Sequence, residues 1–203
     1  MRKSKLAERI FLVEFDSQYL LASTFLRIQE HYESRKYRNR VFSLEEFMDW
    51  YAATFGAFTY FEDWSGFNVP SEAFEAFYQG TFNPLSKKEE RLLGLFRRES
   101  RPFYVIGLSS KDDLKHELAH ALFSTQPEYK KAVVAAMRGF DTSVLKRRLA
   151  KMGYHAHVLP DEVQAYLIAP EDAPGGTPRS LTRLRRTLQS IYREYSTRLQ
   201  LPA

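Results

Sequence analysis

The chain of 203 residues contains no cysteine, and this one absence removes disulfides, thiolate metal sites and cysteine nucleophiles together. Any metal must then be held by histidine and carboxylate. Histidine is itself scarce, with five in the chain. Long apolar runs are missing as well. The first sixteen residues are basic at the start, but Glu14 and Asp16 break their apolar stretch. That stretch is too short and too charged for a signal peptide, and no other approaches a membrane span. The expectation is a cytoplasmic protein with no membrane partner. A formal charge of +5 fits solubility as readily as nucleic-acid binding.

Hydrophobic residues at 44% and aromatics at 15% specify a packed domain rather than a disordered chain. Residues 10–15 read as a short buried strand, and Asp16 or Ser17 caps a helix over 18–33. Ser43 with Glu46, and Ser86 with Glu89, have the spacing of capping boxes. The segment 58–70 is too aromatic for a solvated loop and too irregular for a helix or a long strand. It reads as a loop folded over the core, or as a cover in which Asp63, Trp64 and Asn68 line a site. Residues 102–108 form the clearest strand, after which Ser109 or Ser110 caps a helix with Asp112 and Asp113 in its first turn. Helices are expected from Pro127, from Asp141 and from Pro160–Asp161, with Tyr154–Val158 alternating like a short strand. Residues 170–180 read as a flexible linker before an amphipathic helix bearing Leu181, Leu184, Leu188, Ile191, Tyr195 and Leu199. The expected fold class is α+β, predominantly helical, in a single domain with a small sheet beside the active-site helix. Within it, 1–100 forms an N-terminal subdomain or lid, 101–170 a catalytic core, and 171–203 a linker and packing helix.

The chemistry concentrates in Lys-His-Glu-Leu-Ala-His-Ala-Leu, residues 115–122. On a helix, His116 and His120 stand one turn apart on one face, which is half of a tetrahedral zinc site. Glu117 is placed to reach the water of such a metal without displacing it. A catalytic site needs a third protein ligand. The metzincin pattern asks for histidine six residues beyond His120, and position 126 is Gln126, so that completion is excluded. Glu162, in the first turn of its own helix, is the strongest candidate. A plain N-terminal helix carboxylate, or ligation by Asp161 instead, are the alternatives at that position.

With Glu162-Val-Gln-Ala165 downstream of His-Glu-x-x-His, the chain resembles the gluzincins, zinc metallopeptidases with two histidine ligands on one helix and a ligating glutamate on a second. The resemblance covers these two helices and the strand Phe103–Leu108, which in gluzincin-type folds often lies along the cleft and pairs with substrate. It implies a zincin-like core, Zn2+ on His116, His120 and Glu162, and Glu117 as general base. The small residues Ala119 and Ala165 would let the two helices approach. The activity implied is hydrolysis of peptide bonds in a peptide or protein substrate. The first hundred residues match no peptidase region and resemble a compact, poorly characterised family.

An oxyanion formed in such hydrolysis needs a protein donor. Tyr154, His155, His157 and Tyr166 are the candidates: a strand would put His155 and His157 on one face, and Tyr166 lies one turn after Glu162. A second class of reading is a non-catalytic or latent zinc-binding protein with a sensing, regulatory or protein-binding role. A metal position open to a cleft would separate the two. Nucleic-acid binding through the arginines of the last helix is the least favoured, since a packing helix with a basic outer face is the commoner outcome.

Overall fold

The computed structural model describes residues 1–173 and 175–199. The architecture is α+β and predominantly helical, with one small four-stranded sheet. In chain order the elements are β1 (Arg2–Ala7), β2 (Ile10–Glu14), α1 (Gln18–Glu33), α2 (Leu44–Phe55), α3 (Tyr60–Asp63), β3 (Gly66–Pro70), α4 (Glu75–Tyr78) and α5 (Lys87–Phe96). There follow β4 (Tyr104–Leu108), α6 (Leu114–Thr125), α7 (Pro127–Met137), α8 (Ser143–Lys151), α9 (Leu159–Ile168) and α10 (Thr182–Ser196).

The strand order is β1-β2-β4-β3, with β2 and β4 parallel and the outer strands antiparallel to their neighbours. Strand alternation divides the core in two. Ile10, Leu12, Tyr104, Ile106 and Leu108 face a cluster built by α6 to α10. Phe11, Val13 and Val105 face the aromatic cluster of α1, α2 and α5. Three of the four strands thus come from the first hundred residues, which share one sheet with the rest of the chain rather than standing apart from it.

Local chemistry explains most element ends. Ser17 accepts from Leu20 N, and Ser43 accepts from Glu46 N. Gly56 closes α2 at a φ of 91°. The Ser86–Glu89 capping box forms in full. Glu89 also receives a bidentate pair from Arg27 at 2.7 and 2.6 Å, tying α5 to α1 with both side chains largely buried.

Several expectations are corrected. The basic start is β1, an edge strand whose Lys3 and Lys5 lie over the Phe11 ring while Arg2 pairs with Glu14. Charged residues suit an edge strand. The 58–70 segment supplies both a one-turn helix, α3, and the strand β3, because pairing with β4 overrides its irregular pattern. β4 is hydrogen-bonded on both sides and has no edge to offer a substrate; the edge strand beside it is β3. The helix α6 begins at Leu114 with Asp113 at its N-cap, while Ser110 bonds locally to Asp112. Tyr154–Val158 is a turn, bridged at Tyr154 to Ser34 and closed by Val158 N donating to His155 O. The 170–180 segment carries two short 3-10 turns, and Arg148 donates to Gly175 O and Gly176 O; Pro174 within it, and residues 200–203 at the end, lie outside the described residues. Among the described residues no helix is long and apolar enough to cross a membrane.

Gly107 in β4 lets α1 lie directly on the sheet: a Cβ there would stand 2.5 Å from Phe25 and 2.9 Å from Leu21. Phe25 cannot turn aside easily, since Phe67 stacks on it and Phe15 meets its edge. Gly107→Ala should therefore cost about 1–3 kcal/mol by overpacking, read as a lower urea midpoint with an unchanged m-value. An unchanged midpoint would mean that the α1–sheet contact is loose.

Candidate metal centre

The helices α6 and α9 pack face to face, with Ala119 and Ala165 fully buried. The seam brings His116, His120 and Glu162 together: one ligand atom from each lies within 4.8 Å of the others, and all three residues are buried. The Nε2 atoms of His116 and His120 are 3.1 Å apart, and His120 Nε2 is 3.7 Å from Glu162 Oε1. A tetrahedral ion with nitrogen at about 2.0–2.1 Å sets two such ligands about 3.3 Å apart, so the observed edge matches a zinc-sized site. Glu162 Oε2 and His116 Nδ1 are buried with no hydrogen-bond partner. A carboxylate oxygen left in that condition is costly unless a cation reaches it. The donor set fits a divalent metal.

The second nitrogen of His120 is held. Its Nδ1–H donates to Asp161 Oδ1 at 3.0 Å; the same oxygen accepts from Gln164 Nε2 at 2.9 Å, and Tyr129 OH donates to Gln164 Oε1 at 2.8 Å. This chain fixes the ring with Nε2 toward the cluster. Asp161 is thus the orienting partner of a ligand rather than a ligand itself.

Burial would lower His120, but the carboxylates of Asp161, Glu162 and Glu117 outweigh it and hold the imidazole up at about 10. His116 is driven well below its ordinary value by burial and then by the charge on His120. Burial pushes the Glu162 carboxyl up, against the pull of His120. His120 is therefore the cationic counterpart of three acids, a role that a divalent ion between the same groups would take over, leaving two neutral imidazoles as ligands.

Glu117 sits beside the cluster, buried, with its carboxyl raised by burial to about 7. Asn68 on β3 donates from Nδ2 to Glu117 Oε2 at 2.5 Å, and Tyr104 OH donates to Asn68 Oδ1, which fixes the orientation of the amide. The other oxygen, Oε1, lies where a side chain on Gly66 would be. The glycine keeps that space open.

The cluster opens on a cavity of about 890 Å³, within the range that holds a small ligand or a stretch of peptide. Ser65 to Asn68 of β3 border it, as do Tyr154 and Tyr166. Tyr166 packs edge-on against His116 at 4.6 Å between ring centroids, and its hydroxyl is hydrogen-bonded with that of Tyr154. His155 and His157 are not brought to the site. Their Nδ1 atoms face each other 3.0 Å apart outside the cavity, and the turn at 155–158 sets His157 edge-on to Tyr32. Trp64 and Asp63 both line the cavity, Trp64 edge-on to Tyr154 and Asp63 accepting from Tyr51 and Thr59.

Asn68 reads in the sequence with Asp63 and Trp64 as lining a site, and all three do line the cavity, but its bond to Glu117 is not legible there; Gln164 and Tyr129 carry no signature that residue patterns reveal. Asp161 stood next to the expected ligand, where its pairing with His120 depends on how α9 faces α6.

Asp161→Ala should weaken metal binding about 10- to 100-fold, with a far-UV spectrum like the wild type, when zinc is titrated against a chromophoric chelator. Unchanged affinity would remove Asp161 as the orienting partner. No protein-family model matches the chain, and neither the curated proteins nor the solved structures contain a significant match to it.

Proposed function

We propose that the protein is a zinc-dependent hydrolase, a gluzincin-like metallopeptidase acting on peptide or protein in the cytoplasm. The observation that carries this reading is the buried His116–His120–Glu162 cluster opening on a large cavity with Glu117 at its side. A purely structural zinc site is closed by four protein ligands, whereas three ligands facing a cavity leave a position for chemistry. A zincin-like arrangement is supported by the two-helix ligand set together with the edge strand β3 on the cavity wall.

Zinc, when bound, supplies Lewis acidity toward a carbonyl oxygen and makes water a usable nucleophile near neutral pH. Glu117 supplies the base. A carboxyl near 7 is matched to taking and returning a proton at neutral pH. Oε1 is the atom that does so, since Oε2 is engaged by Asn68. Asn68 and Gly66 together set the carboxylate's position, the first by a hydrogen bond and the second by leaving room. The outer edge of β3 offers backbone groups to an extended peptide. The hydroxyls of Tyr154 and Tyr166 border the cavity, and since one donates to the other, the pair leaves one O–H for a developing oxyanion.

Purified protein should contain one zinc per chain by mass spectrometry of the metal. His116→Ala and Glu162→Ala should lose it, and a chelator should abolish cleavage of a fluorogenic peptide library. Zinc loss in the first variant with full retention in the second would remove Glu162 as ligand. Glu117→Gln should keep the metal and lose about 10²- to 10⁴-fold in turnover. Gly66→Ala should do the same in milder form, by displacing Oε1. Turnover unchanged in Glu117→Gln would refute Glu117 as the base.

A further inference from the structure

One wall of the cavity is the last turn of α1. Gln29, Glu30 and Glu33 line it, spaced three and four apart so that they share one helix face. Glu33 lies close enough to Glu162 and His120 to be influenced electrostatically by both. Among the described residues, neither Glu30 nor Glu33 forms an ion pair with a lysine or arginine. Glu30 accepts only hydroxyl hydrogen bonds, from Tyr60 at 2.9 Å and from Ser34. Glu33 is bonded to the Gln29 side chain. Gln29 is 5% exposed, and its Oε1 has no hydrogen-bond partner.

Three side chains therefore present acceptor oxygens to one cavity, and although Arg35, Lys36 and Lys151 also line it, none of these pairs with Glu30 or Glu33. The same cavity is also lined by aromatic rings, including Trp50, Tyr51 and Trp64. A metal ion does not fit this corner: the group of ligand atoms at metal spacing among the described residues is His116, His120 and Glu162. A donor-only organic cation does fit. An ammonium brings three N–H groups and a guanidinium five, with no acceptor, and either gains from an aromatic face.

We propose that Gln29, Glu30 and Glu33 form a subsite for a cationic group of the ligand, an ammonium or guanidinium carried by a peptide and seated beside the metal cluster. Only the word peptide rests on the hydrolase reading; the charge preference does not. Burial raises both carboxyls, Glu30 to about 7, and a bound cation supplies the counter-charge that lets them ionise. The side chain of Gln29 then completes the set, giving its amide to Glu33 and its carbonyl to the ligand.

The test compares three blocked or unblocked pentapeptide amides by titration calorimetry. They are acetyl-Ala-Ala-Lys-Ala-Ala-amide, its norleucine counterpart, and the norleucine peptide with a free N-terminus. Binding is measured on chelator-stripped wild type and on zinc-loaded Glu117→Gln, so that cleavage does not consume the probe. At least one cationic peptide should bind about tenfold tighter than the acetylated norleucine peptide. Preference for the lysine peptide assigns a side-chain pocket, and preference for the free amine assigns recognition of the peptide N-terminus. In Glu30→Gln and Glu33→Gln the advantage should fall to roughly threefold or less with zinc stoichiometry unchanged. Equal affinity for all three peptides on the wild type overturns the subsite, whatever the variants do. So does a charge preference that survives both substitutions. A charge preference in a protein that holds no zinc and cleaves nothing would retain the subsite and remove the hydrolase reading. Zinc and turnover with no charge preference would do the reverse.

Discussion

Charge buried without water must be balanced by charge, and the seam between α6 and α9 is where this chain meets that constraint. Two imidazoles and the carboxylates of Glu117, Asp161 and Glu162 are gathered there, four of the five residues almost fully removed from solvent. Each carboxylate alone would be a several-kcal/mol liability in such surroundings. The arrangement persists because His120 serves several of them at once, bonded to Asp161 on one side and facing Glu162 on the other. The same geometry that balances the acids leaves two imidazoles and one carboxylate converging at metal distance. A divalent ion held there would replace a proton-borne charge at the same spot, which would couple its binding to the stability of the seam.

The sheet gives the seam its platform. Tyr104, Ile106 and Leu108 of β4 pack beneath α6, while Gly107 on the opposite face admits α1. Since β4 is paired on both sides, the strand beside the cluster is β3, and β3 contributes Asn68 and Gly66 to the setting of Glu117. Tyr104 reaches across from β4 to orient Asn68. A structural strand pair thus positions the Glu117 carboxylate, and the N-terminal half of the chain takes part in the site rather than flanking it.

The cavity has two unlike parts. One is the His116–His120–Glu162 cluster with Glu117; beside it is the α1 wall of amide and carboxylate oxygens, with aromatic rings lining the same space. A ligand that spans both would present a polarisable carbonyl to the first and a positive charge to the second. The aromatic residues also close the domain: Phe47, Tyr51 and Tyr60 form a contiguous ring network that belongs to the core and to the cavity lining at once.

The sequence by itself determined the helical pair at the centre of the site. His116, Glu117 and His120 obey a helical period, Glu162 opens a second helix, and the lack of cysteine narrows the ligands to those residue types. Capping signals at Ser17, Ser43 and Ser86, and the apolar strands at 10–14 and 104–108, were legible because they depend on near neighbours in the chain. Tertiary structure alone decided the rest. β1 and β3 are strands because β2 and β4 lie beside them, not because their residues alternate. His155 and His157 alternate but turn away, since the chain there must reverse from α8 into α9. Asn68 joins Glu117, Asp161 joins His120, and Gln29 faces the cavity through contacts spanning tens of residues or through the facing of one helix on another. Local periodicity is written residue by residue, whereas which buried polar group meets which is settled only when the layers close.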